Sequence, residues 1–341
     1  MADTYRIATF AAPLSRDGPG LLLRDITKAE DPQIAAIIAV IVQNAPDILV
    51  LTDFDFDHGG AALAAFSLAL GLAGHEMPHH FARRPNTGMS TGLDLDGNGR
   101  LGDARDSQGY GRFAGDGGMA VVSRFPFDTD QTRDFSDLLW RDLSGATLPP
   151  MTAEINAIQR LSETGHWVLP VLPDEGPPIM LMAYSATPPV FDGPEDRNGL
   201  RNRDETRFWQ LFLDGAWSDP PDGHFIVIGN ANLDPSDGQG FSETMAALLS
   251  DSRLQDPQPA SRGAMLDADA AHRGDPALDT VDWPADGPGN LRVSYVIPSF
   301  DWQVTGAGVF WPAADDPAAV LLGADGLAAG AHRLVWVDVS G

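Results

Sequence analysis

Short apolar runs alternate with amphipathic stretches along most of this chain. Apolar runs occupy 5–10, 118–125, 179–186, 224–232, 291–297 and 332–339, and a further run, "DILVLTDFD", ends in acidic residues. Runs of this length between turn residues predict buried strands.

Between these runs, the spacing predicts helices. The stretch 31–47 begins with Asp31 and Pro32, which favour a helix start, and stops near Pro46. Further helices are predicted in "GGAALAAFSLALGLAG", at 202–214 and at 241–250. The alternation indicates an α/β protein. No linker divides it, so we predict one domain over 1–341 with long Gly-, Pro- and Asp-rich loops at 76–117 and 253–290.

The charge balance narrows the possible partners. The chain has 48 Asp and Glu against 22 Lys and Arg, a formal charge of -26. Such a surface repels polyanions, which disfavours duplex nucleic acid as a partner, and it attracts divalent cations. The absence of cysteine excludes disulfides, zinc–thiolate sites and thiol catalysis.

The hydropathy pattern predicts a soluble protein. No run approaches the roughly 18 apolar residues that a membrane span needs. The chain enters a predicted strand almost at once, without the pattern of a signal peptide. Location stays open between cytoplasmic and, if a signal peptide was removed, secreted or periplasmic.

Several predicted strands end or begin at polar residues that could share one site. These residues are Asp53, Ser185, Asn230, Asn232 and His332. Strand ends at one edge of a sheet are common positions for ligand-binding and catalytic side chains.

Long motifs around these positions resemble a known family. They are "NTGMSTGLDLDGNG" (86–99), "GMAVVSRFP" (118–126), "TPPVFDGPEDRNGLRNRDETRFW" (187–209), "GVFWP" (308–312) and "HRLVWVDV" (332–339). Across essentially the whole chain, the sequence resembles a bacterial branch of the endonuclease/exonuclease/phosphatase superfamily. The resemblance implies a four-layer α/β/β/α sandwich of two packed mixed sheets flanked by helices. It also implies phosphoester hydrolysis assisted by Mg²⁺ or Mn²⁺.

The resemblance implies a catalytic set that is incomplete here. The metal-binding Glu corresponds to Asp53, a shorter oxygen ligand, and the phosphate-orienting Asn is kept as Asn232. The water-activating Asp corresponds to Asn230, and one catalytic His corresponds to Ser185. The second His is kept as His332. The remaining family positions are occupied by Ala11, Ser294 and Ala331.

These substitutions predict impaired catalysis. Asn230 cannot accept a proton, and general acid–base assistance is usually worth about 10²–10⁴-fold. We therefore predict a pseudoenzyme that binds a phosphorylated small molecule or a protein partner through the inherited cleft. The alternative is an active Mg- or Mn-dependent phosphoesterase whose catalytic acid is relocated to Asp55, Asp57 or Asp234.

The stretch "DLDGNGRLGD" (94–103) resembles the start of a Ca²⁺-binding loop, because oxygen-bearing residues alternate before a glycine. The candidate ligands are Asp94, Asp96, Asn98 and Asp103. Arg105 stands where the closing Glu is expected, so Asp103 or Asp106 would have to replace it. A Ca²⁺-stabilised secreted structural module is a second alternative.

Arginines are concentrated in "EDRNGLRNRDETR" (195–207). Arg197, Arg201 and Arg203 could grip a phosphate beside the cleft, because guanidinium groups match phosphate oxygens. The other interpretation is a helix start with ion pairs to Asp204 and Glu205.

Overall fold

The computed structural model describes residues 4–341. Its strands are β1 (Thr4–Phe10), β2 (Ile48–Phe54), β3 (His79–Phe81), β4 (Gly118–Ser123), β5 (Arg133–Asp134), β6 (Gly165–Val171), β7 (Ile179–Ser185), β8 (Phe225–Asn230), β9 (Ser294–Pro298), β10 (Gln303–Val309) and β11 (Val335–Ser340). Its α-helices are α1 (Leu21–Lys28), α2 (Pro32–Asn44), α3 (Ala61–Leu72), α4 (Ala153–Ile158), α5 (Arg197–Leu213), α6 (Ser242–Leu249) and α7 (Arg262–Leu266).

Two mixed sheets form the centre of the molecule. One has six strands in the order β10-β11-β1-β2-β4-β3, and the other has five in the order β5-β6-β7-β8-β9. Apolar side chains of both sheets, such as Ile7, Trp167 and Val296, share one buried core. The sheets therefore pack face to face, and burial of this apolar surface is the main stabilising contribution.

Helices cover the two outer faces. Helices α1, α2 and α3 contribute apolar residues to the core of the six-stranded sheet. Helix α5 packs on the five-stranded sheet through Phe208, Trp209 and Phe212, together with Met245 of α6. This arrangement confirms the predicted four-layer α/β/β/α sandwich. Within residues 4–341, no helix combines the length and apolar character that crossing a membrane requires.

The predicted helix at 31–47 shows how local chemistry sets the boundaries. Asp31 caps it by accepting hydrogen bonds from the backbone N–H groups of Gln33 and Ile34 at 2.9 and 3.0 Å. The helix ends at Asn44, because Ala45 adopts a left-handed conformation at φ 46°. Helix 202–214 was predicted too short, since α5 already begins at Arg197.

The predicted long loops contain short elements. The segment 76–117 includes β3, and 253–290 includes α7. Strands β6 and β10 were not predicted. Pro170 lies inside β6, but it pairs with Met180 beyond the end of β5, whose two residues reach only Trp167 and Val168. The Pro170 carbonyl accepts from the Asp128 N–H at 3.0 Å, so the side of β6 that lacks the proline N–H faces an irregular segment and not a regular strand.

Strand direction gathers the predicted site residues at one end of the sandwich. Strands β1 and β2 are parallel, and so are β7 and β8, with Ser185 opposite Asn230. Strands β9 and β11 run antiparallel to their neighbours, so their beginnings meet the ends of those strands. Ser294 therefore lies opposite Asn230.

Candidate functional site

A cleft of about 940 Å³ opens at this end of the sandwich. All five polar positions identified in the sequence line it, namely Asp53, Ser185, Asn230, Asn232 and His332, and Ala11 lines it as well. The strands that carry these residues belong to both sheets, so the cleft spans the two layers.

Asp53 lies near the end of β2 with its carboxylate in the cleft. Gly117 comes close to it, because a Cβ atom at that glycine would lie 3.0 Å from Asp53 Oδ1, and its φ of 57° favours glycine. Burial raises the pKa of Asp53 to about 6, a hydrogen bond from Ser15 acts in the opposite direction, and the nearby charges of Asp55 and Asp116 add to the rise.

The two asparagines are held by each other and by the backbone. Asn230 Nδ2 donates to Asn232 Oδ1 at 3.1 Å, and the backbone N–H of Asn232 donates to Asn230 Oδ1 at 3.2 Å. Asn232 Nδ2 also donates to the Ala186 carbonyl at 2.8 Å. These bonds fix Asn232 in a left-handed conformation at φ 49°, which asparagine tolerates better than most residues.

His332 has no carboxylate partner among the described residues, 4–341. Its Nδ1 atom is buried without a hydrogen-bond partner among residues 4–341, and its ring lies edge-on to Trp283 with centroids 5.5 Å apart. Burial and the nearby Arg333 charge lower the pKa of His332 to about 4. The neighbouring Ala331 provides no counter-charge, so His332 is neutral at pH 7.

The hydroxyl groups at family positions are only weakly engaged. Ser185 Oγ donates to the Thr52 carbonyl at 3.4 Å. Ser294, opposite Asn230 on β9, is buried and its hydroxyl has no partner within the described residues. At the positions that correspond to family catalytic residues, the cleft therefore offers hydroxyl and amide groups and the carboxylate of Asp53.

The acids considered as relocated catalysts are all bound to backbone amides. Asp55 accepts from the N–H groups of Arg16 and Gly117 at 2.9 and 3.1 Å. Asp57 accepts from the first N–H groups of α3 at 2.9 and 2.8 Å. Asp234 lines the cleft and accepts from the N–H groups of residues 236, 237 and 292 at 2.7, 2.9 and 2.7 Å.

The three predicted anion-binding arginines do not line the cleft. Arg201 is buried, and its guanidinium donates to the backbone carbonyls of residues 108, 160, 161 and 162. Arg197 donates to the Leu95 carbonyl at 2.9 Å, and Arg203 donates to Thr147 Oγ1 at 2.6 Å. These side chains support the packing of α5 against neighbouring loops.

The acidic loop at 94–106 folds around its own backbone. Asp94 accepts from the N–H groups of residues 97, 98 and 99, while Asn98 Nδ2 donates to Asp96 and Asp103 at 3.1 and 2.8 Å. Carboxylate oxygens of Asp94, Asp96 and Asp106 lie within 4.8 Å of one another. This group could hold a metal ion, and Ca²⁺ binding there stays a prediction.

A divalent cation in the cleft would find few protein ligands. In the chain from residue 4 onward, the acidic and histidine ligand atoms that cluster within 4.8 Å in a group of three belong to the 94–106 loop, outside the cleft. Mg²⁺ bound through one or two carboxylates usually relies on substrate phosphates to complete its shell. Asp53 therefore fits a divalent ion only together with a phosphorylated ligand.

Several cleft residues were not found from the sequence. Arg112 and Asp116 come from the first long loop, and Trp283 comes from the second. Tyr110 and Phe191 also line the cleft and are exposed, with 56% and 78% of their surface accessible. The sequence signal that could have identified the aromatic residues of the cleft is their presence in loops of otherwise polar composition.

Comparisons with known proteins agree with this geometry. A model of the Endonuclease/Exonuclease/phosphatase family matches residues 25–334. No curated protein gives a match.

Among solved structures, the chain is similar to an endonuclease/exonuclease/phosphatase from Beutenbergia cavernae DSM 12333, at 17% identity and a TM-score of 0.55, covering 99% of this chain and 71% of that chain. It is also similar to sphingomyelinase C from Streptomyces griseocarneus, at 14% identity and a TM-score of 0.50, covering 99% and 100%. A beta toxin variant from Staphylococcus aureus with bound magnesium ions gives 11% identity and a TM-score of 0.50, again covering 99% and 100%. At these identities the similarity shows the fold.

Proposed function

The chain belongs to the endonuclease/exonuclease/phosphatase family, and from this premise we propose that it binds a ligand in the family cleft without hydrolysing it. Hydrolysis of a phosphoester needs a group that takes a proton from water near phosphorus. At the position where the family has an aspartate, Asn230 offers an amide, and its side chain is bound to Asn232.

The observation that carries this proposal is the state of the neighbouring acids. Asp55, Asp57 and Asp234 each accept at least two hydrogen bonds from backbone N–H groups. A carboxylate that turned toward a ligand would give up these hydrogen bonds, at a cost of about 1 kcal/mol each. This cost disfavours all three acids as replacements for the missing base.

His332 does not compensate for the loss. A charged imidazole stabilises negative charge on phosphorus, but with its pKa lowered to about 4 this ring is neutral at pH 7. Losing the carboxylate partner of a catalytic histidine costs about 10⁴-fold in a protease triad. Losses within one catalytic unit are not additive, yet any one of them is severe.

Family chemistry suggests two kinds of occupant. One is a phosphorylated small molecule, held through a divalent cation on Asp53. The other is a protein partner that covers the cleft. Duplex nucleic acid is disfavoured by the formal charge of -26.

Hydrolysis assays test the proposal directly. We expect no metal-dependent release of nitrophenol from bis(4-nitrophenyl) phosphate or 4-nitrophenyl phosphate with Mg²⁺, Mn²⁺ or Ca²⁺. Asp53→Ala and His332→Ala serve as matched controls, because each removes a retained family group. Turnover that disappears in either variant would show that the protein is an active phosphoesterase.

Restoring the missing groups provides the converse test. The combined substitutions Asn230→Asp, Ser185→His and Ala331→Asp return a base, an imidazole and its carboxylate to positions around the cleft. We expect hydrolysis to appear with Mg²⁺ or Mn²⁺ in this variant, whereas the single substitution Ala331→Asp should remain inactive. A fully inactive triple variant would mean that the loss involves more than these three groups.

A further inference from the structure

We propose that the cleft binds a neutral polyhydroxylated ligand, a sugar ring or cyclic polyol, in preference to a phosphorylated one. This inference rests on the proposed non-hydrolytic function and specifies the class of ligand. Three features of the cleft carry it: the polar groups of its floor, the aromatic residues at its mouth, and the charge of its lining.

The floor offers hydrogen-bond donors and acceptors side by side. Asn230 and Asn232 each make one hydrogen bond through their amide nitrogen, and each such group carries a second N–H. Asp53 adds acceptor oxygens, and Ser185 adds a hydroxyl. A sugar hydroxyl both donates and accepts, so it can bond to every one of these groups.

Aromatic residues surround the mouth of the cleft. Trp283 is half-buried beside His332, while Tyr110 and Phe191 are largely exposed. Phe191 has a left-handed backbone at φ 71°, a costly conformation for a bulky residue. Aromatic faces pack well against the C–H face of a sugar ring, because aromatic side chains offer a large apolar surface even where they are partly exposed to water.

The charge of the lining disfavours a phosphate. The acidic residues that line the cleft are Asp17, Asp53, Asp116, Glu163, Asp234 and Asp286. The two lining arginines are already paired, Arg112 with Asp17, and Arg16 with Asp25 and Asp31. Without a divalent cation to bridge it to Asp53, a phosphorylated ligand would meet net negative charge and two arginines that are already paired, whereas a neutral polyol avoids that repulsion.

Three sugars with the same ring but different charge can distinguish neutral, anionic and cationic ligands. Glucose, glucose 6-phosphate and glucosamine share a pyranose but are neutral, anionic and cationic. We would measure them by saturation-transfer NMR and calorimetry, together with methyl mannoside, methyl galactoside and myo-inositol as neutral rings of other stereochemistry. We expect at least one neutral ring to bind with a Kd on the order of 1 mM, and its phosphorylated form to bind at least about tenfold more weakly.

Tighter binding of the phosphorylated form, binding of glucosamine alone, or no binding of any ring would overturn this inference. The last result would leave the non-hydrolytic proposal intact, because that proposal is tested by turnover. Conversely, turnover of nitrophenyl phosphates would refute the non-hydrolytic proposal whatever the sugar titrations show.

Matched variants locate the binding within the cleft. Phe191→Ala should weaken binding of the neutral ring at least about fivefold, a loss of about 1 kcal/mol. Phe300→Ala should not, because Phe300 is similarly exposed, at 63%, but lies outside the cleft. Equal effects of Phe191→Ala and Phe300→Ala would contradict the assignment.

Discussion

Replacing the carboxylate of Asp53 with an amide should stabilise the protein at neutral pH. The pKa of Asp53 is raised from 3.8 to about 6, chiefly by burial, so its charged form is disfavoured in the folded state. One pKa unit corresponds to about 1.36 kcal/mol, and the full rise would be worth roughly 3 kcal/mol. Because Asp53 is only partly buried in the open cleft, solvent reduces this figure, and we expect a gain of about 1–2 kcal/mol for Asp53→Asn.

The raised pKa of Asp53 also determines how the stability gain should change with pH. Between about pH 4 and pH 6, the folded state holds more protons at Asp53 than the unfolded chain does, so the contribution of this residue to stability falls as pH rises. Asp53→Asn removes that dependence. The stability difference between variant and parent should therefore be near zero below pH 4, grow through pH 6, and stay constant above it.

The stability difference between Asp53→Asn and the parent can be measured by urea unfolding at several pH values from 4 to 8, with tryptophan fluorescence as the signal. Asp130→Asn is the matched control, since Asp130 is exposed and lies outside the cleft. A variant that is less stable at pH 7, or a difference that does not change with pH, would show that burial does not oppose the Asp53 charge. In that case Asp53 would be a structural residue.

Other substitutions test the fold around the cleft. Arg201→Met should lower the free energy of unfolding by about 3–5 kcal/mol at pH 7, because buried Glu205 loses a compensating charge. The loss should be smaller at pH 5, because burial raises the pKa of Glu205 to about 7. Arg203→Ala should lower the free energy of unfolding by less than about 1 kcal/mol, and urea titrations compare the two variants. Trp209→Ala should cost about 3–5 kcal/mol, since its fully buried ring packs on the five-stranded sheet, and calorimetry would reveal the lower Tm. Calcium bound to the 94–106 loop should stabilise the folded state by about 2.7 kcal/mol at a hundredfold excess over Kd, and calorimetry should show this as a higher Tm. Asp96→Ala should abolish the shift in Tm, and an equal shift in the variant would exclude this site.

The strand ends and the family resemblance were sufficient to identify residues that line the floor of the cleft. Asp53, Ser185 and Asn230 stand at ends of strands, and the strand directions in the structure explain why they meet at one edge. Ser294 and His332 meet them because antiparallel strands begin where their neighbours end. Strand-end positions are predictable because hydrophobic patterning defines where each strand stops.

The mouth of the cleft could not be predicted in the same way. Tyr110 and Trp283 lie in long loops, whose paths depend on many weak turn and hydrogen-bond preferences and not on a repeating pattern. Arg201 illustrates the same limit within a helix. Its sequence surroundings suggest either a phosphate site or local ion pairs, and only the fold shows that backbone carbonyls of a loop around residue 160 occupy its donors.

The large excess of acidic residues has a structural explanation that also bears on the proposed loss of catalysis. Asp31 and Asp57 bind N–H groups at the starts of helices, while Asp55, Asp94 and Asp234 bind N–H groups of loops. Backbone amides thus stabilise many carboxylates in place of the scarce basic side chains. A carboxylate used in this way contributes to loop geometry, and turning it toward a ligand would break those hydrogen bonds. Many acids near the cleft are therefore held by backbone N–H groups, whereas burial and the charges of Asp55 and Asp116 oppose the charge of Asp53, and this is why removing that charge should stabilise the fold.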